Sequence, residues 1–143
     1  MRISTLLANK GSAVASIPGD ATVADAVEEL GRHHVGALVV SRDGETIDGI
    51  VSERDVVRAM GERGVSVVGD LVSSIMSATV TTAAPDDDTD SLMRIMTERR
   101  IRHVPVTDGG RLCGIVSIGD VVKERIEELE KNRTELIEYI TAR

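Results

Sequence analysis

Gly49-Ile50-Val51-Ser52-Glu53-Arg54-Asp55-Val56-Val57 recurs, with small changes, as Gly114-Ile115-Val116-Ser117-Ile118-Gly119-Asp120-Val121-Val122. Each stretch reads as the end of a buried strand, Gly-Ile-Val, turning into a helix that opens at a serine. An aspartate follows each serine at the third position, and the two aspartates stand 65 positions apart, too far for a hairpin. A strand-to-helix turn presents backbone N–H groups and the positive end of a helix dipole, which suits an anion. A carboxylate one turn in cannot hold a phosphate, but it accepts hydrogen bonds from a pair of sugar hydroxyls. Serine among N–H groups, then aspartate for a diol, points to a nucleotide.

The 143 residues suffice for one domain, or for two small halves sharing a core. There is no Phe or Trp and a single Tyr, Tyr139, so the core is aliphatic and no aromatic platform stacks a base. The net charge of −7 and the acidic run Asp86-Asp87-Asp88 argue against a nucleic-acid partner, whose binding draws on neutralising phosphates. The lone Cys113 makes no internal disulfide, and no Cys/His spacing fits zinc; placed before the second Gly-Ile-Val, it reads as a small buried strand residue. Met1 to Leu7 is too short and polar for a signal sequence, and no apolar run reaches the ~18 residues of a membrane span. A cytoplasmic protein with no membrane partner is the simplest expectation.

The duplication extends beyond the opening motif. Ile3-Ser4-Thr5-Leu6-Leu7 and Val72-Ser73-Ser74-Ile75-Met76 read as equivalent lead-in helices. A β-prone piece follows each, Ala13 to Ile17 and Thr79 to Thr82, and then proline with acidic residues. Amphipathic helices come next: Val23, Ala26, Val27 and Leu30 share one helical face, as do Leu92, Ile95 and Met96, with Thr22 and Asp88 as N-caps. Strands Val35–Val40 and Ile101–Val106 lead through turns at Asp43-Gly44-Glu45 and Asp108-Gly109-Gly110 into strands Ile47–Val51 and Leu112–Val116. Each half is thus β-α-β-β-α, and the fold is α/β (α+β). The expected divisions are a first repeat at 1–64, a second at 65–125 and a helical extension at 126–143. In that extension Val122, Ile126, Leu129, Leu136 and Ile140 form an apolar stripe, fitting either the chain's own body or a second subunit.

A single Ser-x-x-Asp is also a helix-capping arrangement, and that reading stays open. Against it stands the shared glycine upstream of each serine, where a missing side chain lets a ligand approach the backbone. Arg54 and Arg58 on the first helix, and Arg99, Arg100 and Arg102 near the second strand, are either phosphate partners or a solvated surface of mixed charge. His103 is either a phosphate donor or a residue on the far side of its sheet. His33-His34 closes a helix and complements its dipole, rather than binding a metal. Val35-Gly36-Ala37 and Arg102-His103-Val104-Pro105 offer backbone groups and aliphatic walls able to sandwich an adenine.

The duplicated unit, the two Gly-Ile-Val-Ser-x-x-Asp endings, the stretch Thr97 to Val106 and the lead-in Ser74-Ile75-Met76 together resemble a pair of cystathionine-β-synthase (CBS) domains, the Bateman module. The resemblance spans roughly residues 3 to 125. It implies pseudo-two-fold packing of the halves, clefts for adenine ligands such as AMP, ADP, ATP, NAD or S-adenosylmethionine, and homodimerisation. Position by position, it implies that Asp55 and Asp120 hold ribose hydroxyls, with Ser52 and Ser117 near ribose or phosphate. Arg54, Arg102 and His103 become phosphate contacts, and Val35 to Ala37 and Ile101 to Val104 border the adenine, with Pro105 counted among the ligand-binding residues. Ser16 and Thr81 stand at the ends of the first strands, and Ile118 and Gly119 line the second turn. Glu53 against Ile118 makes the clefts unequal. The implied protein is a regulatory sensor with no catalytic cofactor and no catalysis, read by an effector protein; the alternative is a ligand-free scaffold.

Overall fold

The computed structural model describes residues 1–142. In chain order the elements are α1 (Ile3–Lys10), β1 (Ser16–Ile17), α2 (Val23–His33), β2 (Ala37–Val40), β3 (Gly49–Ser52), α3 (Glu53–Arg63), α4 (Thr89–Arg99), β4 (His103–Asp108), β5 (Arg111–Ser117) and α5 (Ile118–Thr141). Short 3-10 turns at Val65–Gly69 and Val72–Ser74 join the halves. β1 pairs parallel with β2 and β2 antiparallel with β3, while β4 and β5 form a separate antiparallel pair.

Local chemistry sets the helix limits. At Thr22 the hydroxyl accepts from the Asp25 N–H and the Asp25 carboxylate accepts from the Thr22 N–H, closing a capping box. Asp88 caps α4 by accepting from the Asp90 N–H. Both helices stop at a left-handed residue, His34 (φ 53°) and Arg100 (φ 55°), so even this uncommon conformation is duplicated. Val23, Ala26 and Leu30 are buried as the spacing requires, but Val27 is 46% exposed and belongs to an outer surface. The Gly109-Gly110 turn, with both φ positive, makes the expected tight hairpin. Its counterpart is longer: β2 ends at Val40, β3 begins only at Gly49, and the Asp43 carboxylate organises the loop by accepting from the Glu45 and Thr46 N–H groups. The second repeat's first strand is also shorter than expected. Thr79 to Thr82 form no strand, and the pairing reduces to one parallel bridge, Ala83 with Val106.

The lead-ins are exchanged between the halves. Ile3, Leu6 and Leu7 of α1 are buried with Leu92, Met96, Val104, Val106, Val116 and Val121, which is the second repeat's core. Val72, Ile75 and Met76 pack instead with Ile17, Ala26, Leu30, Leu38, Val40 and Val51 of the first. Backbone bonds repeat the exchange: Val23 N–H donates to Asp70 O and Thr89 N–H to Met1 O, both at 2.9 Å. This reciprocal crossing gives the molecule its pseudo-two-fold axis. α5 continues unbroken to Thr141, but past Val121 its apolar stripe is exposed, with Ile126, Leu129, Leu136 and Ile140 each at least half accessible. The stripe therefore does not lie on the chain's own body. The expected extension includes Arg143, which lies outside the described residues.

The glycines of the two Gly-Ile-Val strands explain themselves in this packing. A Cβ at Gly114 would stand 2.8 Å from the Leu7 methyls; one at Gly49 would stand 2.6 Å from Met76 Sδ and 2.8 Å from the Ser77 carbonyl oxygen. The missing side chains admit the lead-ins, not a ligand. Leu7 can shift its tip, whereas the Ser77 carbonyl is main chain. Gly49→Ala should therefore cost about 1–3 kcal/mol and Gly114→Ala distinctly less, as read from urea unfolding midpoints of the two variants.

Candidate functional site

Ser52 and Ser117 each sit where a strand becomes a helix. Each caps its helix: Asp55 N–H donates to Ser52 Oγ at 3.3 Å and Asp120 N–H to Ser117 Oγ at 3.1 Å. The serine N–H groups donate back to Oδ2 of Asp55 and Asp120, both at 2.8 Å. The Glu53 N–H is taken by Gly36 O and the Ile118 N–H by Arg102 O. Three of the four N–H groups in each turn are thus occupied. The helix ends are not the open anion cradles that the sequence motif led one to expect.

A cleft of about 490 Å³ opens between the halves, lined from the first by Gly36, Ala37, Ile50, Ser52 to Asp55, Arg58 and Ser77, and from the second by Arg100 to His103 and Ser117 to Gly119. Its acidic anchor is Asp55. Every hydrogen bond to that half-buried carboxylate lands on Oδ2, so Oδ1 has no protein partner among the described residues. Four arginines, Arg54, Arg58, Arg100 and Arg102, line the same cleft, and among the described residues none of their guanidinium groups forms a salt bridge or a side-chain hydrogen bond. In a chain of net charge −7, four arginines against the carboxylates of Glu53 and Asp55 give the cleft lining a local positive excess. Its size is within the range of small-ligand pockets.

His103 projects from the start of β4 across to the first repeat, its ring 3.3 Å from where a Gly36 Cβ would stand. It faces the cleft, not the far side of the sheet. Burial first, and then the Lys10 cation, hold its imidazole below the ordinary value of 6.5, against the opposing pull of Asp120 and Glu53.

The other aspartate is engaged differently. Lys10 Nζ, from the last turn of α1, donates to Asp120 Oδ2 and, at 2.6 Å, to the Ile115 carbonyl. Burial works against ionisation of Asp120, but the Lys10 and Ser117 hydrogen bonds outweigh it and hold the carboxyl below its ordinary value.

A family model for the CBS domain matches residues 11–62 and again 72–127. The chain belongs to the CBS domain family. Among solved structures, a CBS-domain containing protein from Agrobacterium tumefaciens is 41% identical, with a TM-score of 0.85 over 87% of this chain and 99% of that one. A CBS domain protein from Pyrobaculum aerophilum complexed with AMP is 32% identical, with a TM-score of 0.79 over 91% of this chain and 97% of that one. The Arabidopsis thaliana CBS domain-containing protein CBSX3, mitochondrial, is 39% identical over 85% of this chain and 61% of its own length. This chain thus spans less than two thirds of that relative. Likeness to a mitochondrial protein does not carry the cytoplasmic expectation, although no described helix is long and apolar enough to cross a membrane.

Of the site residues expected from the sequence, the CBS pair brings Gly36, Ala37, Ser52, Arg54, Asp55, Ile101, Arg102, His103, Ser117, Ile118 and Gly119 to one cleft. The others stand elsewhere. Val104 is fully buried in the second core, and Pro105 is buried on β4 opposite Ile115. Val35 faces an outer hollow with Val27 and Val57. Ser16 is exposed on β1, Thr81 Oγ1 accepts from Arg99 at 3.0 Å, and Asp120 is held by Lys10. Sequence reasoning missed Ser77 and Lys10, both delivered by lead-in segments whose local pattern carries only an apolar face.

The His103 environment has a consequence for stability. Because its folded pKa is lowered, the unfolded chain takes up the proton first, so the contribution is present above about pH 6.5 and lost as pH falls toward the folded value. Urea unfolding midpoints should drop between pH 7.5 and pH 5.5, and His103→Asn should flatten that drop. An unchanged slope in the variant would remove His103 as the cause.

Proposed function

We propose that this CBS pair is a regulatory module that binds an adenine nucleotide in the Asp55 cleft and performs no chemistry on it. The observation that carries the reading is the presence in one cleft of a carboxylate oxygen and four guanidiniums that have no side-chain partner among the described residues. Asp55 Oδ1 is an acceptor for a ribose hydroxyl, with Oδ2 fixed by Ser52 and unable to swing away. Arg54, Arg58, Arg100 and Arg102 are donors for phosphate, where guanidinium geometry suits bidentate contact. Ala37, Ile50 and Ile101 supply an aliphatic wall for the base. The AMP complex of the Pyrobaculum aerophilum relative supports the choice of adenine nucleotide and makes AMP the first probe.

Regulation follows from where these groups reside. The diol acceptor is on the first repeat, whereas Arg100, Arg102 and His103 are on the second, so a bound nucleotide bridges the two. A ligand that contacts both halves favours whichever arrangement of them it fits, and an effector protein reads that population. Asp55→Asn, which keeps an acceptor for the Ser52 N–H, should weaken AMP binding by about 1–3 kcal/mol in calorimetry while leaving the melting temperature close to the parent's. Equal affinity in the variant would exclude the diol assignment.

Homodimerisation is part of the same proposal. Val27, Leu30, Val35, Val56 and Val57 line a hollow on the outer face of α2 and α3, with Val57 71% exposed, and this supports a second copy as its cover. Sedimentation velocity should show a dimer that Val57→Glu converts to monomer.

A further inference from the structure

The two copies of the motif differ in a way that the nucleotide reading alone does not require. Leu7 fills the space over Gly114 so closely that a Cβ there would meet its methyls at 2.8 Å, and this fixes α1 on β5. Lys10 lies three residues on, so it shares the Leu7 side of the helix. Gly11, with φ 104°, ends the helix immediately after it. The lysine is therefore delivered to one place, where its ammonium binds Ile115 O and Asp120 Oδ2 with the two side chains only 30% and 25% exposed.

In the first repeat the equivalent lead-in places Met76 over Gly49, and three residues on from Met76 stands Thr79, short and uncharged. There the backbone of Ile50 pairs with Ser77, by Ile50 N–H to Ser77 O at 3.0 Å and Ser77 N–H to Ile50 O at 2.9 Å. Among the described residues no cation forms a salt bridge with Asp55. Chain fold and cap are thus the same in both copies, while the occupant of the carboxylate is not. Ile118 in place of Glu53 and the collapse of the second first strand to one bridge at Ala83 add to the inequality.

From this asymmetry we infer that Lys10 is the specificity-determining residue that limits the chain to one nucleotide, bound at Asp55, by neutralising the Asp120 carboxylate, the counterpart of the Asp55 acceptor. The inference rests on the nucleotide reading above. Every hydrogen bond to Asp120 lands on Oδ2, as at Asp55, so the difference between the copies is the ammonium itself: a diol approaching Asp120 meets a carboxylate already neutralised by a cation tethered to the same molecule. The lysine also satisfies the Ile115 carbonyl, so displacement leaves two acceptors to be repaid by one ligand.

Calorimetric titration with AMP decides the matter. The parent chain should bind one AMP per chain, and Lys10→Ala should bind two. Lys10→Gln, which keeps part of the stem and drops the charge, should also bind two and guards against a folding defect confined to the alanine variant. Lys10→Arg should stay at one, and adding Asp120→Asn to Lys10→Ala should return the stoichiometry to one. Two AMP per parent chain, one per Lys10→Ala and Lys10→Gln chain, or loss of all binding in both variants would overturn the role of Lys10 while leaving the nucleotide reading in place. No AMP bound by any of the chains, parent included, would remove both together.

Discussion

Everything in this molecule depends on two lead-in segments crossing to the other half and packing over a glycine. Leu7 on Gly114 and Met76 on Gly49 are contacts too close for a side chain on the strand, so each glycine is a packing requirement. Neither repeat has a complete core without the borrowed segment: the second needs Ile3, Leu6 and Leu7, and the first needs Val72, Ile75 and Met76. With no Phe or Trp to fill volume, aliphatic interdigitation is the whole of the apolar contribution, and a repeat of this size buries too little alone. The exchange therefore makes the pair the folding unit. It also holds the starts of β4 and β2 close enough for His103 to reach Gly36 and form a cleft from both halves.

The choice between helix cap and ligand site, open in the sequence, dissolves in the geometry. Ser52 and Asp55 do form a capping box, and in doing so they use the serine hydroxyl, the serine N–H and one carboxylate oxygen. What remains is the second oxygen, held in a fixed direction. The cap is the device that orients the acceptor, in the way that groups behind a binding residue commonly fix it. In the proposed site the same accounting moves the anion-binding role off the helix terminus, whose N–H groups are largely taken, and onto arginines that form no salt bridge among the described residues.

How much of this was readable beforehand follows from how local each signal is. Helix caps and the Gly-Gly hairpin are written within a few residues, and they appear where the pattern puts them. Strand register is less local. Val104 and Pro105 were grouped with His103 because they are neighbours in sequence, but alternation sends Val104 into the core while His103 faces the cleft. Val27 kept helical spacing with Val23 and Leu30, yet the stripe is wider than the face that packs, so it stays outside. Thr79 to Thr82 carry β-prone side chains, but pairing of that segment reaches β4 only at Ala83. Lys10 and Ser77 were beyond reach because their positions depend on which core the lead-ins choose. No spacing within a lead-in says that it will cross.

Duplication in sequence and duplication in function are therefore separate matters here. Pseudo-symmetry is enforced by packing: equivalent residues cap equivalent helices, and equivalent glycines admit equivalent segments. Binding is decided one layer further out, by side chains that packing does not constrain. Thr79 and Lys10 each stand three residues past the side chain that covers the strand glycine, Met76 and Leu7, and neither belongs to a buried core cluster. Such positions are free to diverge while the fold stays two-fold. A chain built this way can leave one carboxylate without a cation and place an ammonium on the other while both caps keep their hydrogen bonds, even though that ammonium shares Asp120 Oδ2 with the cap.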